Sequence, residues 1–115
     1  MTMKRPLKLV LDKPFKEEAD LLKEALKWLY RQRDLKVLRI CTEIRYGYSD
    51  LFLCVRGHFV IIELKDDEGT LTAPQEEFIV DMKDVGAIGG ECRTVQQIID
   101  YVNSARQKME RINNG

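Results

Sequence analysis

Leu51-Phe52-Leu53-Cys54-Val55-Arg56-Gly57-His58-Phe59-Val60-Ile61-Ile62-Glu63-Leu64-Lys65 is the stretch that decides the fold. Two apolar, β-prone runs flank Arg56-Gly57, the pattern of a hairpin whose strands span 51–55 and 58–64. A two-residue loop sets Val55 opposite His58, Leu53 opposite Val60, and Asp50 opposite Glu63. Directly opposed residues lie roughly 5 Å apart at Cβ and project to the same face. Two carboxylates placed so repel each other unless positive charge sits between them. Hard divalent cations such as Mg²⁺ take carboxylate oxygens together with phosphates. Lys65 follows Glu63 by two residues, so the strand's period brings its ammonium to the same face. Two carboxylates and a lysine around a cation make a site suited to phosphodiester hydrolysis. Each residue also has a plainer reading. Asp50 closes the turn-like run Gly47-Tyr48-Ser49-Asp50, and Glu63 and Lys65 could blunt a strand end. Against the plain reading, Glu63 interrupts an apolar run where a buried strand would prefer another hydrophobic residue. A three-residue loop would offset the pair and remove the opposition.

At 115 residues, 44% hydrophobic and 33% charged, the chain fits one ordinary globular domain. No run approaches the roughly 20 apolar residues of a membrane span. The start, Met1 to Pro6, is basic with no apolar signal region behind it, so a cytoplasmic protein is expected. Cys41, Cys54 and Cys92 sit in apolar runs with no zinc-like spacing and read as reduced core thiols. The net charge of zero conceals an asymmetry: +5 over residues 1–39, −7 over 40–91 and +2 over 92–115. A basic first segment before an acidic middle is compatible with phosphate contacts flanking a metal site, and equally with solvated helix faces.

Outward from the hairpin, a first helix is expected from Pro14 to about Arg33, burying Phe15, Ala19, Leu22, Ala25, Leu26 and Leu29. Glu18 falls on that stripe and Glu17 does not. Glu18 could serve the helix dipole or reach toward a cation. Lys36 to Arg45 reads as a strand, followed by the connection 45–49, whose Tyr46 and Tyr48 could stack on a base or pack the loop. Both faces of the hairpin are apolar, which implies helices on both sides of the sheet. Asp66-Asp67-Glu68-Gly69-Thr70 reads as a solvated acidic loop. A second helix opens at Thr72-Ala73-Pro74-Gln75 with a capping box and buries Phe78, Ile79, Met82 and Val85 before Gly86 stops it. Gln75 faces inward, where it can cap the helix or meet the two carboxylates. Ala87 to Arg93 suggests a strand weakened by Gly89-Gly90. A last helix starts at Thr94, capped by Gln97, and buries Val95, Ile98, Ile99 and Val102 before a polar tail at about 103–115.

Gly47-Tyr48-Ser49-Asp50, Glu63-Leu64-Lys65 and Gln75 together resemble the VRR-NUC branch of the PD-(D/E)XK nuclease superfamily, in its phage and prophage form. The likeness extends from Glu18 to Gln97 and departs at Ser49, where many relatives carry a turn-shaping proline. It implies an α/β fold with a restriction-endonuclease-like αβββαβ core, a mixed sheet flanked by helices. It further implies Asp50, Glu63, the Leu64 backbone carbonyl and a helix-one carboxylate, Glu18 ahead of Glu17, as ligands of Mg²⁺ or Mn²⁺. Lys65 would orient the attacking water and stabilise developing charge, and Gln75 would support the site. The implied activity is a structure-selective DNA endonuclease resembling Holliday-junction resolvases, working on branched or junction DNA as a homodimer in the host cytoplasm. Flap or duplex cleavage, or a non-catalytic DNA-binding or assembly role on the same fold, are the alternatives.

Overall fold

The computed structural model describes residues 11–39 and 50–114. Seven elements follow in the order α1 (Glu18–Leu29), β1 (Leu35–Arg39), β2 (Leu51–Val55), β3 (His58–Leu64), α2 (Ala73–Asp84), β4 (Ile88–Cys92) and α3 (Val95–Asn114). The strands form one mixed sheet, β1-β2-β3-β4, antiparallel except for the parallel β3–β4 pair. Helices cover both faces, as the two-sided apolarity of the hairpin requires.

The strand period assigns each side chain to a layer. Leu51, Leu53, Val55, Val60, Ile62 and Leu64 pack under α1 and α3, against Leu21, Ala25, Leu29, Val95, Ile98, Val102 and Ala105. The opposite face presents Phe52 and Ile61 to Ile79 of α2, with Phe78 and Met82 beside them. Glu63 follows Ile61 by two and so lies in this second, thinner layer. Among the described residues, no helix is long and apolar enough to cross a membrane.

Several sequence expectations are corrected. Helix α1 starts at Glu18 rather than Pro14, because the Phe15 carbonyl accepts a hydrogen bond from Asp67 N–H (2.8 Å) and ties that segment to the loop after β3. It ends at Leu29, where Arg31 and Gln32 donate to the Trp28 and Leu29 carbonyls and tighten the last turn. Its buried seam is Leu21, Ala25 and Leu29, and Ala19 is exposed. Val85 is the C-cap of α2 and 82% exposed, so it leaves the buried stripe. Cys54 is exposed, whereas Cys92 is buried as expected. The strand expected to run on to Arg45, the connection after it and Cys41 fall on 40–49, outside the described residues. The segment expected as a polar tail is helical, with Ala105 fully buried. Its Arg106 makes a two-toothed ion pair with Asp34 (2.7 and 2.8 Å) and lies over Trp28.

Gly89, read from sequence as a weakness of β4, is a requirement of it. Its φ is +123°, and a Cβ there would stand 1.9 Å from the Ile61 carbonyl oxygen of the neighbouring strand. Gly57, in the hairpin turn with φ +86°, has open space around it. Gly89→Ala is therefore expected to lower stability by about 3 kcal/mol, and Gly57→Ala by only about 1 kcal/mol from left-handed backbone strain alone. Urea unfolding of the two variants checks the contrast.

Candidate active site

The β2–β3 ladder has the register expected from a two-residue loop: Val55 opposes His58, Leu53 opposes Val60, and Leu51 opposes Ile62. Asp50 stands one residue before β2. Its Oδ2 accepts a hydrogen bond from the Leu64 backbone N–H at 2.8 Å, which pins the carboxylate at the end of β3 beside Glu63. Glu63 itself is 1% exposed, the one buried charged residue among those described.

Gln75 reaches the same point from the first turn of α2. Its backbone N–H and side-chain oxygen complete a capping box with Thr72. Its Nε2 donates to Glu63 Oε2 at 3.4 Å. The two readings of Gln75 from sequence are thus both realised by one side chain, with the cap orienting the amide that meets the carboxylate. The other oxygen, Glu63 Oε1, is buried with no hydrogen-bond partner.

Burial is the main reason Glu63 holds its proton up to about pH 9; the neighbouring Asp50 carboxylate adds to it, because a protonated Glu63 could donate to it and an ionised one is repelled by it. Lys65 works in the opposite direction, and Glu18 adds a further push upward. Glu18, half-buried at the start of α1, is also held above the usual carboxylate range, by burial first and then by Asp50. Lys65 opposes this shift and Asp66 reinforces it. Of the two helix-one carboxylates, Glu18 is thus the one that feels the site, while Glu17 is exposed at the N-cap. The Lys65 ammonium makes no ion pair among the described residues.

Asp50, Glu63, Lys65, Gln75 and Glu18 thereby share one neighbourhood at the end of β3. Among the described residues, however, no three His, Cys, Asp or Glu side chains gather tightly enough to form a ready-made metal cage. The donor set nonetheless suits a hard cation. A carboxylate oxygen buried without a partner, beside a second carboxylate, needs either a proton or a cation. Glu63 and Asp50 would be the holding residues.

Sequence reasoning missed Arg93. Glu63 and Glu91 are register partners across the parallel β3–β4 pair. Arg93 Nε binds Glu91 Oε1 at 2.7 Å, Nη1 binds the Asp66 carbonyl at 2.5 Å, and Nη2 binds the Gly69 carbonyl. Asp66 Oδ1 in turn accepts from the Glu68 and Gly69 N–H groups. The acidic loop read as merely solvated is therefore fastened at both ends, and it is the segment that connects Lys65 to Gln75. A basic residue next to a strand end carries no such information by itself; the contact spans 27 and 24 residues of sequence. Because the guanidinium uses its fork, Arg93→Lys is expected to fail nearly as badly as Arg93→Ala. Both should cost about 2 kcal/mol of stability and speed hydrogen exchange of the 67–70 amides about tenfold or more, read by mass spectrometry.

Comparison of the chain with protein families, with curated proteins and with solved structures returned no match. The chemistry of the site therefore rests on its own geometry.

Proposed function

We propose that the chain is a metal-dependent DNA endonuclease of the VRR-NUC type, hydrolysing phosphodiester bonds with a preference for branched DNA. The observation that carries this reading is the buried Glu63 with its unpartnered oxygen, set against Asp50 and flanked by Lys65 and Gln75. A purely structural strand end has no reason to bury a carboxylate that burial destabilises. When bound, Mg²⁺ or Mn²⁺ would supply charge for the non-bridging phosphate oxygens and make water a stronger nucleophile at neutral pH.

The protein's own groups have separable tasks. Glu63 and Asp50 present oxygen ligands from adjacent strand ends. Gln75 fixes the Glu63 carboxylate through its amide. Lys65 places a positive charge where the pentacovalent phosphorus and departing oxygen gather negative charge. Glu18 adds a third carboxylate at the rim, close enough to be influenced by Asp50 and Lys65.

The test is incubation of the protein with labelled four-way junction, flap and linear duplex, in Mg²⁺, in Mn²⁺ and in EDTA. Cation-dependent cleavage, strongest on the junction, is expected. No cleavage of any substrate in either cation would overturn the nuclease reading and favour a DNA-binding or assembly role. Symmetric cutting of a junction needs two sites related by a two-fold axis, so a homodimer belongs to this proposal. Light scattering with and without junction DNA checks it, and a monomer in both conditions would contradict it.

A further inference from the structure

The sheet carries a second polar feature at its other end, around the hairpin turn. A depression of about 430 Å³ opens there, lined by Arg33, Asp34, Leu35, Lys36, Cys54 and Arg56. Three of these residues are cations and one is an acid. That acid is already consumed: Asp34 receives Arg106 Nη2 on Oδ1 and Arg106 Nε on Oδ2. Arg106 is itself held by Gln32 and Asn103. Arg33, Lys36 and Arg56 consequently make no ion pair among the described residues.

The backbone holds these cations in place although their side chains are uncommitted. Lys36 sits beside Cys54 by strand pairing. Arg56 N–H donates to the Asp34 carbonyl at 3.0 Å. Arg56 also adopts φ +52°, the one non-glycine residue with positive φ among those described. A hairpin turn at that position is better served by Asn, Asp or Gly. Arginine there works against the turn, which argues that the position is occupied for its charge.

We propose that this pocket binds a backbone phosphate of nucleic acid, at a point remote from the cleavage site. The identity of the polymer as DNA rests on the function proposed above. Asp50 and Arg56 are six residues apart along an extended strand, roughly 20 Å at 3.3 Å per residue, so one phosphate cannot serve both ends. The pocket would instead grip the arm of a substrate whose scissile bond lies at Glu63. Guanidinium forks and a lysine suit phosphate oxygens, and each such contact releases counterions and steepens the salt dependence of binding.

The test uses the full chain, a labelled 30-base-pair duplex and a four-way junction, in Ca²⁺ to suppress turnover. Binding is compared for wild type and for the triple variant Arg33→Gln, Lys36→Gln, Arg56→Asn across a salt series. The variant should bind about 30-fold or more weakly near physiological salt, with the slope of log K against log salt reduced by about 1. Asparagine is the better turn residue, so Arg56→Asn alone should raise the melting temperature while weakening binding. A purely structural role would not separate those two readouts. In wild type, saturating duplex should slow maleimide alkylation of Cys54, followed by peptide mass spectrometry, and millimolar inorganic phosphate should not.

An unchanged salt slope in the variant, or no protection of Cys54 by DNA, overturns the proposal. Equal protection by inorganic phosphate overturns its assignment to nucleic acid. If wild type binds no DNA in Ca²⁺ or EDTA, pocket and nuclease reading fall together. If DNA protects Cys54 but no substrate is cut in Mg²⁺ or Mn²⁺, the pocket stands and the nuclease reading fails alone.

Discussion

Lys65→Ala is expected to slow single-turnover cleavage by about 100-fold or more while changing DNA affinity in Ca²⁺ by no more than about threefold. The first number is what loss of one preorganised donor to developing charge typically brings. The second follows because one phosphate contact among many is a small share of the binding free energy. The structure gives the reason for separating them. Lys65 stands one residue past the end of β3, its backbone N–H is tied to the Cys92 carbonyl at 3.0 Å, and its ammonium forms no ion pair among the described residues. It is positioned but uncommitted, and its charge is felt by both Glu63 and Glu18. A lysine that merely solvated the strand end would leave the rate untouched when removed. Asp50→Asn is the reference, since it should abolish cleavage through loss of the charge proposed to hold the cation, while its amide oxygen can still accept from Leu64 N–H. Normal cleavage by Lys65→Ala alongside an inactive Asp50→Asn would remove Lys65 from the catalytic set. Retained cleavage in both would place the activity elsewhere or in a contaminant.

The hairpin is legible in the sequence for a simple reason. A two-residue loop fixes the register, and the register fixes which residues share a face, so Asp50 and Glu63 meet by arithmetic. Gln75 was accessible for a related reason: its capping box with Thr72 sets the orientation of the first turn of α2. What could not be read are contacts between segments distant in sequence. Arg93 fastens a loop about 25 residues away, and Arg106 pairs with Asp34 across 72 residues. Without that anchor, the polar composition after Asn103 looks like a fraying end. The start of α1 failed similarly, because the Phe15 carbonyl is taken by Asp67 rather than by a helical turn. Periodicity locates the face of α1 only to within one residue: Leu22 does pack against the core, but only in part, and the fully buried Leu21 escapes the pattern. The parallel pairing that puts Glu91 beside Glu63 depends on a crossover through α2, which no local pattern encodes.

Glu63→Gln is expected to abolish cleavage and, in metal-free buffer at pH 8, to make the protein more stable. The native carboxyl keeps its proton up to about pH 9, whereas in the unfolded chain it ionises near its ordinary value of 4.5. Between those pH values the native state binds the extra proton, so wild-type stability should fall as pH rises and level off above about 9. The slope from this one group has an upper limit of about 1.4 kcal/mol per pH unit. Partial relief from Lys65 and from water entering the site reduces it, so about 2 kcal/mol of the loss by pH 8 is a reasonable expectation. In a chain of this size that corresponds to roughly 8 °C in melting temperature. Glutamine has no charge to desolvate, can still accept from Gln75, and offers an amide N–H to Asp50. The variant should therefore melt higher than wild type in EDTA at pH 8, with a flatter pH profile, and match it more closely near pH 5. A cation reverses the order for wild type alone. A bound ion stabilises by mass action, about 2.7 kcal/mol at a hundredfold excess over its dissociation constant, and it does so through the ionised carboxylate. Millimolar Mg²⁺ should accordingly raise the wild-type melting temperature at pH 8 by several degrees and leave Glu63→Gln nearly unmoved. A variant less stable than wild type in EDTA at pH 8, with a flat wild-type profile between pH 5 and 9, would mean that another group already satisfies Glu63. In that case its burial would be a structural pairing, and the strain that a cation is proposed to relieve would not exist.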